Sequence, residues 1–282
     1  MSEELSDYKR GLAEFAEAVD QRFHREQPES FWSCEPLLRD LVSKGFAQQA
    51  INNELRQLLH DPAYAGDWRP TQLVAHRGRG YALAIALLDG TRRYIHTSPF
   101  YAMYMPVGTA PLRCDLYRLP DNYSNEVFDA NLRLQPLSSV STAPGEVLLA
   151  RPENRVFDFV VEQPQLIVMF TSAAFLPLEW LFSRDNLHAW HANDSELTAT
   201  QMRVAAYVLG RLAHQSSLEP LKSLTTHPHH TVRWAAIQAL GRLSRTEVIA
   251  ALELARNDPH PHNRRAAERT LERLYGSRTS GN

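Results

Sequence analysis

The feature that most constrains this chain is an internal repeat near its C-terminus. Thr226–Leu243 (THPHHTVRWAAIQALGRL) lies over Asn257–Leu274 (NDPHPHNRRAAERTLERL), matching Pro228 with Pro259, His229 with His260, Arg233 with Arg264, Ala235-Ala236 with Ala266-Ala267, and Leu240 with Leu271. Each pair is 31 residues apart. An earlier partial copy, Arg203–Leu212 (RVAAYVLGRL), sets Gly210 the same 31 positions before Gly241. An apolar segment precedes each proline, Leu218–Leu224 in one copy and Ile249–Ala255 in the next. Two helices per copy, none able to bury its apolar face alone, predict an α-solenoid in which neighbouring copies complete one core.

These repeats resemble the short HEAT-like repeats of the phycobilisome-lyase type. The pattern is carried by His227-Pro228, Val232-Arg233, Ala235-Ala236 and Leu240-Gly241-Arg242-Leu243. The resemblance implies close helix pairs at the alanines, an inter-repeat core at the leucines, and a surface for another protein. Partner contact is expected at Arg233, Trp234, Arg264 and Arg265.

Two further zones precede the repeats. Tyr8, Leu12, Phe15, Val19 and Phe23 fall at helical spacing up to Pro28; Leu37, Leu38, Leu41 and Val42 make a second stripe, and Ala50, Ile51, Leu55 and Leu58 a third. From about Asp67 the period becomes two. Tyr81, Leu83, Ile85 and Leu87 alternate with Ala82, Ala84 and Ala86, which predicts a strand with one bulky face and one small one. Asp89-Gly90 follows, so Arg92–Ile95 is expected to return as its hairpin partner. Further strands are expected at Tyr101–Met105, Leu112–Leu119, Asn131–Leu134, Glu146–Ala150, Val156–Val160 and Leu166–Phe170, with no room for crossover helices. The expected fold is α+β and multi-domain. A helical lead (1–62) packs on an all-β barrel (63–183), followed by helical repeats (184–276) and a flexible tail (277–282).

Helices ahead of a small barrel are the layout of the thiol-dioxygenase branch of the cupins, and QLVAHRGRGYALAIALLDGTRRYIH, from Gln72, resembles the approach to the cupin metal-binding motif. Gly145–Phe159 (GEVLLARPENRVFDF) has the Gly and Pro spacing of the second motif. The resemblance places His96 as a metal ligand, with iron as the cofactor. Ser98 stands where the motif has its second ligand, and Asn154 to Phe157 stand where a third His belongs. Asp115, Glu126 and Asp158 are candidate substitutes.

His188 and His191 have i, i+3 spacing, which would put two imidazoles on one helix face. His227, His229, His230, His260 and His262 fall in the repeat turns, where stacking would bring imidazoles together for adventitious Zn or Ni. His76–Gly80 (HRGRG) lacks the Lys-Ser/Thr of a phosphate loop, and no G-x-S-x-G, H-E-x-x-H or C-x-x-C occurs. Two cysteines, Cys34 and Cys114, make no disulfide framework. With no long apolar run and a charged Met1–Arg10, a cytoplasmic protein without membrane contact is expected.

The net charge of −2 is unevenly spread: from Leu197 onward twelve Lys/Arg face six acids. Nucleic acid is the weaker reading of that basic zone, because only Tyr207, Trp234 and Tyr275 interleave it. The leading expectation is a non-catalytic interaction or regulatory module, a cupin-like barrel able to hold a small ligand joined to a protein-binding platform. The alternative is an iron-dependent oxygenase acting on an amino-acid or thiol-like substrate.

Overall fold

The computed structural model describes residues 3–279 apart from 62 and 91. It divides into two compact units: one runs to Tyr123 and resumes over Asp129–Asn193, and the other joins Ser124–Phe128 to the chain from Asp194.

The first unit opens with α1 (Glu3–Arg22), α2 (Glu35–Ser43) and α3 (Phe46–His60). Their apolar stripes bury Tyr8, Phe15, Val19, Leu38, Phe46 and Ala50 in one cluster with Leu83, Ile85 and Phe170 of the sheet. Phe31, in a short 3₁₀ turn before α2, stacks on Phe170 at 4.7 Å. The bulky face of the alternating strand is therefore the face the helices cover.

Twelve strands follow: β1 (Trp68–Arg69), β2 (Gln72–Gly78), β3 (Tyr81–Leu88), β4 (Tyr94–His96), β5 (Ala102–Val107), β6 (Leu112–Arg118), β7 (Gln135–Thr142), β8 (Leu148–Ala150), β9 (Arg155–Val160), β10 (Gln165–Ser172), β11 (Leu178–Ser183) and β12 (Ala189–Asp194). One sheet has the order β1-β2-β3-β10-β5-β8. The other layer is built from β12-β11-β4 and β7-β6-β9, with β4 beside β9. The assigned strand pairs are antiparallel, and residues of both layers line one cavity between them. The strands thus form three hydrogen-bonded sheets in two layers around that cavity.

The strand order corrects three sequence expectations. Arg92–Ile95 is not the hairpin partner of β3: both edges of β3 are occupied, by β2 and β10, so the chain crosses to the other layer, where β4 pairs with β11. The hairpin is β2–β3, and HRGRG ends β2 and makes the turn at Arg79-Gly80. Gly80 sits there at φ +93°, and a Cβ on Gly78 would lie 2.0 Å from the Tyr81 ring. Asn131–Leu134 contributes only an isolated bridge, Arg133 to His188; the strand is the polar β7, at a sheet edge where one side meets solvent. Finally, 189–194 is strand rather than repeat helix, so β structure passes the boundary expected at Ser183. His188 and His191 therefore share no helix face.

The second unit contains α4 (Leu197–Leu212), α5 (Leu218–Leu224), α6 (His230–Leu243), α7 (Arg245–Ala255) and α8 (Pro261–Thr279). Ala206, Leu221, Ile237, Leu240, Leu252, Ala267 and Leu271 form its core. The alanines and glycines let helix axes approach: a Cβ on Gly210 would lie 2.9 Å from Ala239 of α6. The tail expected from residue 277 is helical as far as Thr279, and 280–282 lie outside the described residues.

Candidate functional site

The small face of β3 meets no covering helix. It looks into a cavity of about 370 Å³ between the two layers. Ala86 and Ala150 leave the room; Phe100, Tyr104, Phe157, Phe159, Ile167 and Met169 supply apolar walls. Tyr104 and Phe159 meet edge to face at 4.9 Å, and burial raises the Tyr104 hydroxyl pKa well above its usual value, so it stays protonated.

One polar pair stands in this cavity. His96 on β4 and Glu179 on β11 sit across adjacent strands with Nδ1 3.1 Å from Oε1, each about one-third exposed. The carboxylate orients the ring; in the neutral tautomer with its proton on Nδ1, Nε2 is an acceptor, and it makes no bond to the protein among the described residues. Ser98 lines the same cavity, but its hydroxyl donates to the Phe100 carbonyl at 2.8 Å.

The other sequence candidates do not join His96. Asp158 borders the cavity, yet it is buried in a two-pronged bond from Arg184, at 2.5 and 2.7 Å. Asp115 accepts from Ser139, and Glu126 belongs to the other unit. Among the described residues no three His, Cys, Asp or Glu side chains are placed to hold a metal. Among the described residues, then, Glu179 is the one acidic side chain that the structure places in hydrogen-bonding distance of His96. Cys34 and Cys114 are buried thiols; burial pushes Cys114 up to about 12, away from reactive thiolate. Sequence reasoning missed Glu179 and Arg184. Leu178–Ser183 (LEWLFS) is a short apolar run that could have been read as a buried strand.

In the helical unit, Arg233 is not a partner contact. It is buried, its guanidinium grips Asp258 at 2.5 and 2.7 Å, and Nη1 donates to the carbonyls of His227 and Pro228. Burial opposes ionisation of Asp258, but bonds from Arg233, Asn263 and the His260 N–H win and hold its carboxyl down at about 2. Arg264 makes the matching bonds to the carbonyls of Asp258 and Pro259. Trp234 borders an open groove of about 500 Å³ between α4 and α6, and Arg265 is exposed.

The turn histidines do stack: His230 lies on His260 at 3.5 Å and 8°, and on His229 at 5.3 Å. Burial, then His260 and His229, pushes His230 down to about 4. His260 is buried and tied by Nε2 to the Glu126 carbonyl at 2.8 Å. Face-to-face rings present π surfaces to each other rather than converging lone pairs, so the stack is packing and not a metal cage.

A family description, HEAT repeats, matches residues 194–272. The C-terminal unit is HEAT-like. Such repeats generally serve as protein-interaction platforms. Comparison with curated proteins finds no match. Solved structures similar to part of the chain include hydroquinone 1,2-dioxygenase PnpCD in complex with Cd2+ and 4-hydroxybenzonitrile: 18% identity, 39% of this chain, 69% of that one, TM-score 0.30. Hydroquinone 1,2-dioxygenase from Sphingomonas sp. TTNP3 with 4-hydroxybenzoate bound overlaps 40% of this chain and 70% of its own at 14% identity and TM-score 0.30. A double-stranded β-helix protein from Klebsiella pneumoniae overlaps 42% and 88% at 7% identity and TM-score 0.25. Overlaps this loose speak to neither activity nor ligand. Among the described residues no helix is long and apolar enough to cross a membrane.

Proposed function

We propose that the protein is a non-catalytic adaptor whose β unit holds a small molecule and whose HEAT-like unit docks another protein. The observation that supports it is the His96–Glu179 pair in a cavity walled in part by aromatic side chains, with Arg92, Thr97, Ser98 and Asp158 also in its lining. A few polar groups among apolar walls are what fix a small ligand's orientation. Nε2 of His96 accepts a hydrogen bond, so the fitting ligand is a small, flat, apolar molecule with one hydroxyl or protonated acid.

Calorimetry with phenol and 4-methylphenol on the full-length protein tests the reading. Saturable binding is expected, weakened tenfold or more by His96→Ala and abolished by Ala86→Phe, which fills the cavity. Binding that survives Ala86→Phe, or none at all, sinks the ligand half. Metal analysis of untagged protein tests the other half: about one iron per chain, lost in His96→Ala, would replace the adaptor with an oxygenase.

A further inference from the structure

The outward face of α4 is bare where a solenoid helix is ordinarily covered. Leu197 is 68% exposed, Val204 58%, Val208 45% and Leu212 68%. Their spacing of 7, 4 and 4 residues makes one stripe along the helix, about 22 Å long at 1.5 Å per residue. The opposite face of α4 is the one already used, through Ala199, Ala206 and Gly210. Beside the stripe runs the groove between α4 and α6, with Tyr207 and Trp234 among its walls.

The charged side chains on the two helices themselves have one sign, although Glu196 stands just before α4. Neither α4 nor α6 contains an Asp or Glu. Arg211 is exposed on α4, and the Arg242 guanidinium lies 5.1 Å over the Tyr207 ring, presenting its outer edge. Arg203, at the groove, is paired with the buried Asp194, which leaves Arg211 and Arg242 as the cations beside the stripe.

We propose that this face takes an acidic amphipathic helix from another protein. An aliphatic row four turns long matches the apolar anchors of a helix lying in a groove, and the flanking arginines match carboxylates beside those anchors. Nucleic acid fits less well: the row is Leu and Val rather than stacking rings, and Arg233 and Arg264 are engaged inside the repeat turns. The inference rests on the platform reading above and narrows it to one face and one kind of partner.

The probe is a fluorescein-labelled 18-residue helix-forming peptide with Leu at successive i, i+3, i+4 and i+7 positions and Glu between. Anisotropy is read on the full-length protein in about 0.15 M salt. Saturable binding is expected, at least tenfold weaker in Val204→Glu and in Val208→Glu. Leu59→Glu, at an 84% exposed leucine in α3, is expected to change nothing. The same peptide with Lys for Glu, or with its residues scrambled, is expected not to bind.

Equal binding of the Lys or scrambled peptide overturns the proposal, as does binding unmoved by Val204→Glu; either leaves the platform reading standing on another surface. No binding of any peptide overturns the proposal and likewise leaves the platform reading to another surface. Tighter binding of single-stranded DNA that Arg211→Glu abolishes assigns the face to nucleic acid and overturns the proposal. Self-association seen by sedimentation and lost in Val204→Glu assigns it to a second copy, with the same result. The Val204 and Val208 positions are exposed, so an unchanged melting temperature shows that each variant is folded.

Discussion

Small residues do opposite things in the two units. In the β unit, Ala86 and Ala150 stand back from the opposing layer and leave volume between two sheets. In the helical unit, Gly210 and Ala239 let α4 and α6 close until no Cβ would fit at Gly210. The same economy of side chain makes a container in one place and a tight joint in the other. What decides is the neighbour. Sheets in two layers sit about 10 Å apart whatever their side chains, so a small residue leaves space. Helices slide together until something touches, so a small residue removes it.

The contrast predicts where substitution hurts. The largest effect is expected at Asp258→Ala, which strands the buried Arg233 guanidinium; a loss of about 3–5 kcal/mol should appear in urea unfolding followed by helical circular dichroism. Arg264→Ala, the matching arginine one copy on, should cost under about 1 kcal/mol, since it loses carbonyl bonds without burying a charge. Next comes Gly210→Ala, expected to cost about 1–3 kcal/mol through overpacking against Ala239. Gly241→Ala, where the nearest atom is Val248 Cγ2 at 3.4 Å, should be neutral or stabilising by up to about 1 kcal/mol.

Acid should loosen the helical unit before the β unit. His230 titrates near 4 when folded and near 6.5 when unfolded, so the unfolded chain takes up the proton first, and stability falls as pH drops from 6.5 towards 4. Asp258, at about 2 when folded against 3.8 when unfolded, adds a second loss below pH 4. His230→Phe should flatten the first limb of a melting-temperature profile and leave the second. A small effect on stability is also expected from Ala86→Phe. Filling a cavity whose walls already hold Tyr104 and Phe159 should move the melting temperature by no more than about 4 °C while abolishing ligand binding. A large loss there would mean the cavity is narrower than its walls suggest.

The helical unit was far more legible in the sequence than the β unit, and the reason is range. A repeat announces its contacts by recurring, so Ala235-Ala236, Leu240 and Gly241 could be placed before any geometry was known. The bulky face of β3 was equally plain, because alternation is local. The fate of the chain after Asp89-Gly90 was not: a turn signal reports that the backbone reverses, not whether the next strand joins the same sheet. Glu179 was invisible for a related cause, since it meets His96 across 83 positions of sequence. Arg233 was misjudged as a partner contact because an arginine on a helix reads as surface until the acid that captures it, 25 residues away, is in view.

The grip of Arg233 on Asp258 reaches from one copy into the next. One copy earlier, Met202 stands in the place of Arg233 and His227 in the place of Asp258: where the cation is missing, so is the anion. In these two copies the charges are present together or absent together. A block running from Pro228 to Asp258 carries both, is 31 residues long, and ends in phase with its own beginning. Copying that block in tandem would add an arginine together with the aspartate that holds it, so the array can lengthen without any joint being invented anew.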